Sequence, residues 1–230
     1  MSDGLLNFVS ADLAANNDQL GQDGKDGKTY LVTLSKAYSG NYSGMPVRLK
    51  KGHRIAVKTF KPQKSVNKIR KEAEYQHICV GISPAIYGVH YEEKYIAMAA
   101  LDSLPAKEYK NKQLPDDLQY MMCALMGRLD DVNVLHGDMN ALNVMVSDGR
   151  PYMIDFGFAK KITGAVVKKH GAHPNFTVSL WGLVRSFSRY KVGCAIMEAC
   201  METNKVGGDI SNFVSIGEKC LTQPSKKRKR

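Results

Sequence analysis

The segment from His136 to Gly157 constrains this chain more than any other. Two short apolar runs, Val144-Met145-Val146 and Pro151-Tyr152-Met153-Ile154, flank Ser147-Asp148-Gly149-Arg150. Asp-Gly between such runs predicts a β-hairpin with a tight turn. Pairing of the two strands brings Asn143, just before the first, to the same open end as Asp155, just after the second. An amide oxygen and a carboxylate converging there suit Mg²⁺, which takes few protein ligands and fills its octahedron with water and phosphate oxygens. Asp138 lies five positions before Asn143 and stands as a general base for an attacking hydroxyl. An isolated loop Asp is ordinarily a cap or turn residue; the joint pattern of Asp138, Asn143 and Asp155 argues for chemistry.

Upstream, Arg54-Ile55-Ala56-Val57-Lys58-Thr59-Phe60 reads as a strand that Pro62 interrupts, and a helix is expected from Ser65 to about His77. Lys58 is a lone cation in an apolar strand, an arrangement that by itself is ordinarily solvent-facing. Glu72 follows the apolar Ile69 by three residues and so shares its inward helix face, whereas Glu74 falls on a different face. Gly21, Gly24 and Gly27 punctuate a segment that runs into a strand, and glycine lets backbone amides approach a phosphate closely. Asp23 and Asp26 sit among them and weigh against that role. Ser39-Gly40-Asn41-Tyr42-Ser43-Gly44 is the rival glycine-rich stretch; the first is preferred because it enters a strand directly.

Elsewhere the pattern is plainer. Residues 1–19 are small and polar and are expected to be loosely ordered. Residues 36–53 read as a long hairpin connection, and 86–89 and 95–98 as strands. Leu118, Met121, Met122, Leu125, Leu129 and Val132 repeat at helical spacing. Val178, Trp181, Leu183, Val184 and Phe187 do the same, and a further helix is expected from Gly193 to Met201. Five cysteines without a C-x-x-C pair argue against a disulfide framework and a zinc site, and for a reducing setting in cytoplasm or nucleus. No signal peptide and no membrane span are apparent, so secretion is not expected. The last five residues, Lys226-Lys227-Arg228-Lys229-Arg230, carry nearly half of the net charge of +11. They read as a nuclear-import signal, a contact for an anionic surface, or a solvated end.

In their order along the chain, the glycine segment, Ala56-Val57-Lys58, Glu72, a hinge-like Met98-Ala99-Ala100-Leu101, the loop His136–Asn143 and Asp155-Phe156-Gly157 resemble the protein-kinase superfamily over about residues 20–190. His136-Gly137-Asp138, where most members carry His-Arg-Asp, is similar to small atypical members such as the KEOPS-complex, RIO, lipopolysaccharide and aminoglycoside kinases. The resemblance implies an α+β fold of two lobes: a β-rich N-lobe over 20–98 and a reduced helical C-lobe over 99–225, between the N-terminal stretch 1–19 and the basic tail 226–230. It implies ATP and Mg²⁺ as cofactors, Asp138 as base, and Asn143 and Asp155 as metal ligands. Lys58 with Glu72 becomes the phosphate clamp, and Gly21, Gly24, Gly27 and Met98 become nucleotide contacts.

The implied activity is that of a minimal serine/threonine protein kinase, constitutively active because no Arg precedes Asp138 to answer a phosphorylated segment. Several usual marks of peptide recognition are replaced. Asn140 stands where such kinases carry a Lys, Ala172-His173-Pro174 is the nearest approach to Ala-Pro-Glu, and Ser179 replaces an Asp before Trp181. A sugar or small-molecule kinase is therefore the alternative, and a nucleotide-binding pseudokinase scaffold the second alternative.

Overall fold

The computed structural model describes residues 3–15, 17–21, 23–101, 115–140, 142–179 and 211–222. They fall into two compact units, one of residues 1–80 with 84–101 and one of 81–83 with 102–230.

The first unit is built on a five-stranded antiparallel sheet in the order β1-β2-β5-β7-β6. Its strands are β1 (Asn17–Leu20), β2 (Gly27–Thr33), β5 (Arg54–Phe60), β6 (Ile86–His90) and β7 (Tyr95–Ala99). Strand β5 lies between β2 and β7 and is apolar on both faces, because the pleat sends successive side chains to opposite sides. Ile55 and Val57 join Val32, Tyr95 and Ala97 on one side, capped by Val9 and Leu13 of α1 (Asp3–Ala15) and by Val47 and Leu49 of the hairpin β3 (Tyr38–Tyr42) and β4 (Met45–Leu49). Ala56 and Phe60 point the other way, to Ile69 and Ala73 of α2 (Val66–Ile78). Lys58, in step with Ala56 and Phe60, is thereby committed to the α2 side.

Helix α1 overturns the loosely ordered N-terminus that composition predicts for 1–19. Val9 is fully buried, the Asp12 carboxylate accepts the backbone N–H of Ser35 at 2.8 Å, and the Ser10 hydroxyl meets that of Tyr95 at 3.1 Å. One sheet face needs a cover, and this helix supplies it. Cys79 is also core, its thiol pushed up to about 12 by burial.

In the second unit, α3 (Asp116–Asp131) buries Leu118, Met121, Met122, Leu125 and Leu129, five of the six residues whose spacing predicts it, while the sixth, Val132, caps the helix and is exposed. It delivers the chain to β8 (Val134–Leu135), which pairs with β11 (Lys160–Lys161). Between them lie the hairpin β9 (Val144–Ser147) and β10 (Arg150–Met153), a 3-10 turn at Phe156–Phe158, and beyond them α4 (Gly164–His170) and a π-helical turn at Asn175–Ser179. A last helix, α5 (Ser211–Thr222), packs on α3. A Cβ on Gly217 would come within 2.0 Å of the Tyr120 carbonyl oxygen, so the two helices approach through a residue without a side chain. Arg128 holds Glu218 across this contact with two hydrogen bonds, 2.7 and 2.5 Å. The helices expected around Trp181 and from Gly193 to Met201, and the basic tail 226–230, lie outside the described residues.

Because Val9 fills the α1-side core, Val9→Ala should lower stability by about 2 kcal/mol, read as a lower urea midpoint by circular dichroism. A silent substitution would restore the loosely ordered N-terminus.

Candidate functional site

Two groups of polar side chains stand out, one in each unit. In the second unit, Asp148 (φ 50°) and Gly149 (φ 75°) form the left-handed tight turn that Asp-Gly favours. The register Val144↔Met153 follows, and Ile154 N–H donates to the Asn143 carbonyl at 2.9 Å, carrying the pairing one step further. Asn143 and Asp155 are thus the residues that leave the paired ladder at its open end. Asp155 turns the chain sharply in a left-handed conformation, its carboxylate accepting Gly157 N–H at 3.3 Å. Phe156 is then buried edge-on against the His136 ring, 4.8 Å between centroids.

The loop from His136 to Asn143 is fixed from both ends. The fully buried His136 bonds through its ring Nε2 to the Ile154 carbonyl at 3.1 Å, and its backbone N–H donates to Asn175 Oδ1 at 3.1 Å. Asn175, also fully buried, donates from Nδ2 to Asp130 (2.6 Å) and to the Val134 carbonyl (2.7 Å). Gly137 adopts φ +81°, and a Cβ there would lie 2.6 Å from the Phe158 carbonyl oxygen. Glycine at this position is a steric requirement of the backbone.

Asp138 and Asn143 are brought into direct contact. Asn143 Nδ2 donates to the Asp138 carbonyl at 2.7 Å and to its carboxylate at 3.1 Å. Asn140 Nδ2 reaches the other carboxylate oxygen at 3.3 Å, and Asn140 Oδ1 accepts Leu142 N–H at 2.8 Å. With its amide nitrogen turned to Asp138, Asn143 has its oxygen left to offer a cation. Among the described residues no three His, Cys, Asp or Glu side chains gather around a common point. An Asn with an Asp is the sparse, all-oxygen donor set that Mg²⁺ accepts alongside phosphate oxygens, so the residues fit that ion.

In the first unit, Lys58 Nζ lies 2.6 Å from Glu72 Oε1, and Glu72 is 1% exposed. Glu74, the rival on the same helix, is exposed. The structure adds a partner that sequence reasoning passed over: Lys64 Nζ lies 2.7 Å from Glu72 Oε2 and 3.0 Å from Asp26. A cation just ahead of the α2 cap opposes the helix dipole, and that misplaced charge was the available signal.

The glycine segment joins β1 to β2 and so runs beside the Lys58 strand, Thr29 facing Lys58 in register. Gly27 is pressed on Thr59, where a Cβ would fall 1.8 Å from the carbonyl oxygen, and Gly21 has φ +72°. A Cβ on Gly24 would lie 2.9 Å from the Gly27 carbonyl oxygen. The two acids that weighed against this segment are both neutralised. Asp26 meets Lys64, and Asp23 meets Lys28 at 3.0 Å, the ammonium holding Asp23 below the usual carboxylate range. The rival stretch 39–44 closes the separate β3–β4 hairpin. Met98 lies within β7, its side chain under α2 and its sulfur accepting Gln76 Nε2 at 3.4 Å. The chain leaves the sheet only after Ala99.

A family model for the RIO domain matches residues 25–166, more than half of the chain. The chain belongs to the RIO-domain family. It is thereby an atypical member of the protein-kinase superfamily, with the mixed α/β fold expected of one. Among curated relatives, the KEOPS complex subunit Bud32 of Pyrococcus abyssi is 27% identical over 147 residues, 60% of this chain and 66% of that protein. A probable bifunctional tRNA threonylcarbamoyladenosine biosynthesis protein of Methanobrevibacter smithii is 27% identical over 128 residues, 55% of this chain. This RIO-domain chain spans 23% of that longer protein. The EKC/KEOPS complex subunit BUD32 of Yarrowia lipolytica is 36% identical over 61 residues, 24% of this chain and 25% of that protein.

Two substitutions test how the loop is held. Gly137→Ala should destabilise by about 1–3 kcal/mol through a disfavoured backbone and the Phe158 contact. Asn175→Ala, which leaves several buried groups unpaired, should cost about 3 kcal/mol. Thermal melts of the purified protein would read both, and an Asn175→Ala variant as stable as the parent would remove Asn175 as the anchor.

Proposed function

We propose that this chain is an ATP- and Mg²⁺-dependent phosphotransferase that phosphorylates serine or threonine hydroxyls of protein substrates. One observation carries the reading: Asp138 and Asn143 are hydrogen-bonded to each other, with Asn143 and Asp155 at the one open end of a hairpin. That pairs a proton acceptor with a two-ligand magnesium set, the minimum that phosphoryl transfer to a hydroxyl requires. In this reading Asp138 orients the acceptor hydroxyl and takes its proton. Asn143 and Asp155 hold the metal, which when bound screens the phosphate charge. Lys58, aimed by Glu72, takes phosphate oxygens, and the segment with Gly21, Gly24 and Gly27 covers them.

The names of the relatives favour a second reading of the acceptor. Both Bud32 proteins are described as subunits of a KEOPS complex, and the longer archaeal relative as a tRNA threonylcarbamoyladenosine biosynthesis protein. On this reading the chain works as one component of such an assembly, its phosphoryl transfer directed at a partner protein. An intracellular setting, cytoplasm or nucleus, goes with either reading. Among the described residues no helix is long and apolar enough to cross a membrane.

Transfer of the γ-phosphate from radiolabelled ATP with Mg²⁺, to the chain itself and to generic protein substrates, tests the assignment. Asp138→Ala should slow transfer about 10²–10⁴-fold while nucleotide still binds. Transfer at the parent rate would remove Asp138 as the base. Nucleotide binding without any transfer by the parent protein would favour the scaffold alternative.

A further inference from the structure

Glu72 is an unusual member of its clamp because its two oxygens serve two different lysines. Lys58 takes Oε1 at 2.6 Å and Lys64 takes Oε2 at 2.7 Å, and the side chains of Glu72 and Lys64 are 1% and 6% exposed. Both ammonium groups also lie over the Phe60 ring, Lys58 at 5.4 Å and Lys64 at 4.5 Å from its centroid. A buried ammonium must be paired, and Lys64 shares the Glu72 carboxylate with Lys58. Lys64 has a second acid in Asp26, 3.0 Å away and 44% exposed at its side chain. Asp26 belongs to the glycine segment, one residue before Gly27.

The two ion pairs of Lys64 therefore differ in kind. The bond to Glu72 is closed off from water and anchored on α2. The bond to Asp26 has one side in solvent, where ion pairs are weak and exchange readily. A nucleotide phosphate carries more charge than a carboxylate and competes for the same ammonium.

We propose that Lys64 is a second phosphate-binding cation of the nucleotide site, and that Asp26 occupies its place until a phosphate oxygen displaces it. The inference rests on the phosphotransferase reading above. With Asp26 displaced, Lys58, Lys64 and Glu72 carry one net positive charge, where a lone Lys–Glu clamp carries none. The acid that sequence alone sets against a phosphate loop becomes a removable stand-in for the phosphate.

Equilibrium titration with a fluorescent ATP analogue in Mg²⁺, with adenosine as the phosphate-free control, decides between this role and a purely structural staple. Lys64→Ala should weaken the ATP analogue roughly 10-fold or more, in line with loss of a charged hydrogen bond, and leave adenosine affinity unchanged. Asp26→Asn should tighten the ATP analogue, and the double variant should match Lys64→Ala alone, since without Lys64 there is nothing for Asp26 to compete over. A staple predicts the opposite sign for Asp26→Asn. Unchanged or weaker ATP binding in Asp26→Asn, or equal losses of ATP and adenosine in Lys64→Ala, would overturn the proposal while leaving the wider reading intact. Failure of the parent protein to bind the analogue would overturn both. If Lys64→Ala does not fold, the isosteric Asp26→Asn at a half-exposed position still gives the deciding sign.

Discussion

A charge withdrawn from water has to be answered by another, and in the strand-rich unit that demand falls on Glu72. Its carboxylate is buried behind α2, and the nearby counter-charges come from strand β5 and from the turn that follows it. Alternation along β5 fixes which side chain can answer. With Ile55 and Val57 committed to the α1-side core and Ala56 and Phe60 to the α2-side core, Lys58 has only the α2 side open to it. The clamp is thus a by-product of covering both faces of one sheet. Removing α1 would expose the Ile55 and Val57 face to water and cost the unit stability, while β2 and β7 still hold the register of β5.

The helical unit solves its positioning problem with a chain of hydrogen bonds that ends on a carboxylate. His136, Asn175 and Asp130 form a buried chain that ties the start of the catalytic-type loop to the end of α3 and to the residue after β10. Buried polar chains of this kind give direction more than stability, since each member fixes the orientation of the next. The hairpin supplies the remaining constraint, because its turn sets the register and the register sets which residues stand at its open end. Backbone geometry brings Asp138, Asn143 and Asp155 to their places, and the Asn143 and Asn140 amides then orient the Asp138 carboxylate.

Most of this was legible where the signal is local. Asp148-Gly149 specifies the hairpin, Ile69 and Glu72 share a helix face, and the apolar spacing of α3 is its own announcement. The unread parts depend on partners distant in sequence. Lys64 looks like one more basic linker residue until Asp26, 38 positions away, is beside it. Asn175 bonds across 45 positions to Asp130 and has no pattern around it. Helix α1 carries three Leu and three Ala, which favour a helix, but only the bare sheet face shows what Val9 and Leu13 pack against. In α5, Gly217 is a weak helix former, and its missing side chain is what lets the helix lie against Tyr120.

The glycine at 137 also limits what this loop can become. Its left-handed backbone and the nearby Phe158 carbonyl leave no room for any side chain, so an arginine cannot be slotted in ahead of Asp138 by one codon change. The loop would first have to take another path, and the 3-10 turn carrying Phe158 would have to shift with it. A lineage with this geometry that came to need an on–off control would therefore find it easier to build one at a different place in the molecule.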